Sequence, residues 1–323
     1  MSAQREARAQ VVVSPHPDDA VWSLGGRLAH WVARGVPVTV VTVFDGPAQE
    51  VDPAVEPASG SALEEAAPAT AGAPAPDARR PDGLDTRRHT SNPVRLRPAP
   101  ASGALDPPGA RRQAAQPLLC RHPHAPAPSD AWRHVAHSAV RRREDRAALG
   151  ELGVAHVSLG FTDAALRTTD GRYRYRSAPR VFAARHPDDD DLPGAIRDAL
   201  RPLCPPGTQV HGPLAAGRHV DHVVSRIAVE HLAAPGTAWY EDFPYPLRGR
   251  DHDGLAARCQ PLTDAEVERW LAAALHYASQ AETLFGGADG LRRALLARAR
   301  AHGAEAGTPH ADRHWLRAEP DGP

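Results

Sequence analysis

Residues 11–44 read VVVSPHPDDAVWSLGGRLAHWVARGVPVTVVTVF, and this stretch decides the fold. Val11 to Val13 is a β-branched run stopped by Ser14-Pro15, the pattern of a short strand buried on both faces. From Asp18 to about Arg34 the spacing predicts a helix. Pro17 suits its first turn, and Asp18 and Asp19 complement the positive end of its dipole. Gly25-Gly26 would let that helix approach the sheet closely, at some cost in helix propensity. Gly35 ends it, and Val36 to Phe44 reads as a second buried strand. A strand–helix–strand unit of this kind opens a doubly wound sheet. The expected fold class is therefore α/β and Rossmann-like: a mostly parallel sheet with helices on both faces, in a single domain.

Beyond Phe44 the character changes. From about Pro47 to Pro128, Pro, Ala, Gly and Arg dominate, with no sustained period of 3.6 or 2. Such a stretch cannot bury enough apolar surface to offset its ordering entropy. It is expected to be a disordered insertion, residues 47–129, between two parts of one domain, 1–46 and 130–316, with 317–323 as a tail. Order is expected to resume near Trp132. Helices are predicted over Val140–Leu152, Leu192–Leu203, His222–Leu232 and Asp264–Leu284. Strands are predicted over Val154–Leu159, Gln209–His211 and at Trp239-Tyr240, with Arg172–Arg176 a loop or edge hairpin.

Bulk properties remove several function classes. The chain has 323 residues and is 41% hydrophobic, enough for a real core. Its formal net charge of -1 gives no electrostatic reason to expect nucleic acid or anionic membranes as partners. Every fixed cation is arginine, so arginine runs carry little information. Cys120, Cys204 and Cys259 are too few and too scattered for a disulfide framework or a zinc ribbon. No apolar run is long enough to span a bilayer and no signal-peptide pattern opens the sequence, so a cytoplasmic enzyme is expected.

Two clusters carry chemistry: His16-Pro17-Asp18-Asp19 after the first strand, and His219-Val220-Asp221-His222 after a later strand and turn. In an open parallel sheet, loops past the strand C-termini hold the ligand, so both clusters can converge there. Histidine and carboxylate suit zinc, whose catalytic sites take three protein ligands and leave a position for water. Alone, the paired aspartates read as helix capping, and a lone HxDH among 18 histidines is weak. The four letters recur at His186-Pro187-Asp188-Asp189, where no buried strand precedes them. That copy is expected to be a solvated loop with an acidic cap for the following helix. Cys120 with His122 and His124 lies in the low-complexity stretch and is a weaker candidate still. A nucleotide-binding protein would need a glycine-rich phosphate loop where His-Pro-Asp-Asp stands.

The run Val-Val-Ser-Pro-His-Pro-Asp-Asp, the helix with Gly25-Gly26 and the later Gly-Arg-His-Val-Asp-His resemble the LmbE-like (PIG-L) N-deacetylases. Further blocks follow in order: Arg141–Leu149, Leu159–Asp163, Tyr240–Tyr245 and Tyr277–Gln280. The resemblance implies a zinc hydrolase that removes an N-acyl group, commonly acetyl, from N-acetylglucosamine-type sugars or a related small metabolite. Carried over by motif, His16, Asp19 and His222 would bind Zn2+, and Asp18 would be the general base toward zinc-bound water. His219 would stabilise the oxyanion or protonate the leaving amine, with Asp221 orienting and charging the histidine pair. Arg141 and Asp163 would lie near the sugar hydroxyls. Some relatives carry a tyrosine shortly before the HxDH motif, where this chain has Ala215-Ala216-Gly217. Rival readings are an amidase of the same fold acting on a larger thiol-sugar conjugate or natural product, and a non-catalytic sugar-binding relative.

Overall fold

The computed structural model describes residues 8–47 and 138–318. The Pro/Ala/Arg-rich segment, Cys120, His122, His124, Trp132 and most of the expected tail lie outside the described residues. The first strand, β1 (Gln10–Ser14), is buried at every position. It leads through the His16–Asp18 turn into α1 (Asp19–Ala33), and β2 (Val38–Thr42) pairs parallel to β1. The element types expected for residues 11–44 are those observed.

After the undescribed segment come α2 (Ser138–Leu152) and β3 (Ala155–Ser158). A two-stranded hairpin of β4 (Thr168–Thr169) and β5 (Arg172–Tyr173) follows. The chain continues through α3 (Leu192–Leu200), β6 (Gln209–Pro213), α4 (Val220–Leu232) and β7 (Ala238–Tyr240). Last come β8 (Leu255–Pro261), α5 (Asp264–Ala274), α6 (Ala278–Phe285), α7 (Ala288–Ala306) and β9 (Ala311–Arg317). The main sheet has the order β3-β2-β1-β6-β7-β9-β8. It is parallel through β7, while β9 runs antiparallel to both β7 and β8.

Alternation along the parallel strands explains why helices cover both faces. Val12, Val38 and Val40 pack with Leu24, Leu28, Leu149, Trp270 and Leu295 on one side. Val11, Val13, Val41 and Val43 pack with Ile196, Leu200, Val224 and Val229 on the other. A strand apolar on both faces can be buried only in this way.

Three expectations need correction. The single helix over Asp264–Leu284 is two helices, broken at Leu275–Tyr277. There the Tyr277 hydroxyl turns in to donate to Asp145 at 2.6 Å, and Glu144 accepts from the Ser279 backbone N–H and hydroxyl. The strands Leu255–Pro261 and Ala311–Arg317 and the helix Ala288–Ala306 were not anticipated. The first of these strands (LAARCQP) is half-exposed throughout and the second (ADRHWLR) interrupts its apolar positions with charged ones, so neither shows an apolar run. The glycine pair brings α1 against α5, not against the sheet. A Cβ at Gly25 would stand 2.0 Å from Trp270 Cδ1, and one at Gly26 2.4 Å from Leu262 Cδ1. Trp270 is also pinned, donating to the Val21 carbonyl at 2.7 Å. Gly25→Ala is accordingly expected to destabilise the fold by about 1–3 kcal/mol through overpacking, read as a lowered Tm. An unchanged Tm would show that Trp270 has room to give.

Candidate active site

Strand order leaves β1 in two directions, toward β2 and β3 on one side and β6 and β7 on the other. That switch point opens a crevice past the strand C-termini. The His16–Asp19 turn follows β1, the Leu214–His219 loop follows β6, Asp242–Tyr245 follows β7, and Asp163 follows β3. Four stretches distant in sequence therefore meet at one end of the sheet. They line a cavity of about 260 Å³.

The first turn is held by its own short side chains. The Ser14 hydroxyl donates to the His16 carbonyl at 2.7 Å and accepts from the Ala20 backbone N–H at 3.0 Å. Asp19 Oδ2 accepts from the His16 backbone N–H at 2.8 Å. These bonds hold Asp18 at φ 101°, a conformation costly for any residue with a Cβ and kept only where the surroundings over-determine it. On the second motif, His219 is the N-cap of α4, its Nδ1 accepting from the Asp221 backbone N–H at 3.3 Å.

The folded chain brings together His16, Asp19 and His222. Asp19 Oδ2 lies 3.2 Å from His16 Nδ1 and 3.3 Å from His222 Nε2. Donor atoms around a tetrahedral zinc, with bonds of about 2.0–2.1 Å, stand about 3.3 Å apart. The far nitrogen of each ring is tied to a buried carboxylate, His16 Nε2 to Asp221 at 3.0 Å and His222 Nδ1 to Asp242 at 2.6 Å. This is how ligating imidazoles are oriented. His219 also presents a ring nitrogen within 4.8 Å of ring nitrogens of His16 and His222. Its Nδ1 is occupied by a backbone N–H, so Asp19, an anion equidistant from both rings, makes the better third donor. A second grouping, His16 with Asp163 and Asp221, is less suited to a cation. Its two carboxylates already face Arg141 and Arg167. The donor set His16, Asp19 and His222 thus fits a metal ion.

Electrostatics follow from burying this many charges together. Burial disfavours ionisation of Asp19, but His222 and His16 beside it prevail and hold its carboxyl below the usual range. Burial alone would lower the His16 pKa; the carboxylates of Asp163, Asp19 and Asp221 outweigh it and push the value up to about 9. Desolvation raises Asp18 to about 7, against the pull of Arg141. Burial, reinforced by the neighbouring His16, keeps His219 well below its ordinary value and hence neutral.

Arg141 and Asp163 both line the cavity. Arg141 is buried: it donates to the Pro17 carbonyl at 3.0 Å and reaches Asp18 at 3.4 Å and Asp163 at 3.3 Å. Asp163 also caps a turn, accepting from the Ala165 N–H at 2.9 Å. The Asp221 carboxylate does not serve the histidine pair evenly. It accepts from His16, from Arg167 at 2.7 Å and from the Ala164 N–H at 2.8 Å, and it meets His219 through its backbone. The Asp221 charge does push the His219 pKa up, but burial and the neighbouring His16 outweigh it and keep that ring neutral.

The second HPDD copy takes no part in the cavity, as expected, and Pro187 and Asp188 are exposed as in a solvated loop, but its last residue is not. Asp189 is completely buried, facing Arg167 at 3.0 Å, Arg174, and the Tyr175 hydroxyl at 2.7 Å. Nor does an acidic cap serve the helix that follows, since the Asp191 side chain makes no capping bond. In the sequence Asp242 and Tyr245 stand out only as members of the block Tyr240–Tyr245, and Phe182 and Arg167 carry no motif at all. The Tyr245 ring fills the space over Gly217, where a Cβ would stand 2.5 Å from it, and lies 5.7 Å from the His222 ring. A tyrosine absent from residues 215–217 is thus matched by one arriving from the loop after β7. The repeated aromatics of Tyr-Glu-Asp-Phe-Pro-Tyr were its only sequence signal.

Comparison with known proteins agrees with this geometry. The family model described as PIG-L, GlcNAc-PI de-N-acetylase, matches residues 11–82. A 2'-N-acetylparomamine deacetylase from Streptomyces fradiae is 28% identical over 240 residues, covering 73% of this chain and 57% of the relative. The chain thus spans little more than half the length of that curated relative. Among solved structures, a deacetylase of the teicoplanin biosynthesis pathway shares the fold with a TM-score of 0.61 at 22% identity, over 98% of this chain and 100% of that one. The A40926 pseudoaglycone deacetylase matches with a TM-score of 0.57 at 21% identity, over the same shares. No helix among the described residues is long and apolar enough to cross a membrane. The motif-bearing loops and the matched residues 11–82 are thus similar to the PIG-L (LmbE-like) deacetylases, and the solved structures share the fold.

Proposed function

We propose that this chain is a zinc-dependent hydrolase that removes an N-acyl group, acetyl in the simplest case, from an amino sugar or a GlcNAc-containing small metabolite. One observation carries the reading: Asp19 stands between His16 Nδ1 and His222 Nε2 at donor-to-donor spacing, with a second carboxylate, Asp18, beside them. The activity for which the Streptomyces fradiae relative is named supports the same chemistry. Residues 1–46 and 130–316 would form the catalytic domain, with 47–129 inserted into it.

A zinc ion held by His16, Asp19 and His222 would acidify a water and polarise the amide carbonyl. The chain supplies the rest. Asp18 takes a proton from the attacking water, and a carboxyl pushed up toward neutrality by burial is a base of suitable strength. Arg141 fixes that carboxylate in place. Neutral His219, with Nδ1 accepting from the backbone, keeps its proton on Nε2 and can donate to the oxygen on which charge develops. The leaving nitrogen recovers its proton from Asp18. A sugar has hydroxyl edges and an apolar C–H face, and the cavity lining has both complements: Arg141 and Asp163 for the hydroxyls, and Trp22, Phe182, Phe243 and Tyr245 for the apolar face.

A second reading, a larger conjugate as substrate, is favoured by one feature. The two large hydrophobic side chains exposed among the described residues, Phe182 and Leu284, both line the cavity. The test common to both readings measures bound metal and acetate release from N-acetylglucosamine conjugates. About one zinc per chain is expected, with activity lost on chelation and restored by zinc. A zinc-loaded protein that releases no acetate from any conjugate would overturn the deacetylase assignment.

A further inference from the structure

His186-Pro187-Asp188-Asp189, which contributes nothing to the cavity lining, is connected to it by a chain of buried charges. Asp189 faces Arg167 Nη2 at 3.0 Å. Arg167 Nη1 donates to Asp221 Oδ1 at 2.7 Å and to the Thr162 carbonyl at 3.0 Å. Asp221 Oδ2 faces His16 Nε2 at 3.0 Å. Asp189 and Asp221 have no exposed surface, and Arg167 retains 2%. The guanidinium lies 5.3 Å from the Phe44 ring centre and 5.5 Å from that of Tyr175, so aromatic rings restrict its remaining freedom.

We propose that Arg167, anchored by Asp189, is a positioning residue for the reaction centre: it fixes Asp221, and through Asp221 the ring of His16. This rests on the reading of His16 as a metal donor. The physical case has three parts. A buried carboxylate needs a partner to stay charged, and Arg167 is the cation against Asp221. Arg167 Nη1 donates in two fixed directions, to Asp221 Oδ1 and the Thr162 carbonyl, while Nη2 meets Asp189 as an ion pair outside hydrogen-bond geometry. A planar guanidinium can span these partners, which a compact ammonium cannot do. A carboxylate with one oxygen clamped has little choice in where it aims the other. Asp221 Oδ2 is thereby held toward His16 Nε2, which turns Nδ1 toward Asp19 and His222. Asp189 completes the clamp, because a fork held at one end alone could swing with its carboxylate. The two copies of HPDD then serve one centre: the first supplies donors, and the second braces the group that aims one of them.

Metal-stripped parent, Arg167→Lys and Asp189→Asn are titrated with Co2+, following the visible absorption bands and competition with a chelator. Arg167→Lys keeps the charge and removes the fork; it is expected to bind Co2+ about 10–100-fold more weakly, with shifted bands. Asp189→Asn, nearly isosteric and insurance against misfolding of the lysine variant, should lose affinity in the same direction by a smaller factor. At saturating metal, kcat should fall in both while KM stays at the parent value, since neither residue lines the cavity. Parent-like Co2+ affinity and bands in both variants would overturn the inference and leave the proposed function standing. A parent that binds no Co2+ would overturn the metal reading, and this inference with it.

Discussion

Asp18→Asn is expected to lower kcat for acetate release about 10²–10⁴-fold while bound zinc stays at the parent level. The two halves of that result have separate causes. Asp18 is not one of the three converging donors, so its loss as an anion leaves His16, Asp19 and His222 in place. Its carboxylate is the nearby group that can accept a proton, and an amide cannot. Asparagine is a better probe than alanine here. It keeps the size and an acceptor for Arg141, and it tolerates unusual backbone more readily than most residues, which matters at φ 101°. Steady-state kinetics with metal analysis on the same preparation checks both halves. Undiminished kcat would remove Asp18 as the base, whereas lost zinc would make it a ligand.

His222→Ala is expected to leave the protein without bound metal and without measurable turnover. Two donors remain where three are needed. A second consequence does not depend on the ion. Asp242 has no exposed surface, and its carboxylate faces His222 Nδ1 at 2.6 Å and the Ala216 N–H at 2.9 Å. Removing the imidazole strands that group at a cost of about 1–3 kcal/mol. Metal-stripped parent and variant should therefore differ in Tm as well. Retention of stoichiometric zinc by His222→Ala would displace His222 from the donor set and bring His219 into its place.

The legible part of this molecule was the part written in apolar runs. Val11–Val13 and Val36–Phe44 bury both faces, so they announce parallel strands, and the motif loops can be placed from the strands that precede them. The strands Leu255–Pro261 and Ala311–Arg317 alternate polar and apolar positions too loosely to be seen. At Leu275–Tyr277 the helical pattern runs on without glycine or proline, and the break comes from a long-range bond between Tyr277 and Asp145. The same reason hid Asp242 and Arg167. A ligand motif has a local spelling, whereas a group that orients a ligand is chosen by three-dimensional proximity. Asp189 shows the limit most clearly. Its four letters match the functional motif, and its burial is decided by Arg167, Arg174 and Tyr175, which no local pattern links to it.

The meeting of the β1 and β6 loops at a switch point also has a consequence for how the site comes into being. His16 and Asp221 face each other across 205 residues of chain. On the proposed donor set, neither the leading segment nor the rest of the chain holds a complete metal site, so no early folding fragment can capture the ion. Closure of so long a loop must be compensated by sheet pairing before the donors converge. Metal uptake is thereby a late event in folding, and a bound ion marks chains whose central sheet has already assembled.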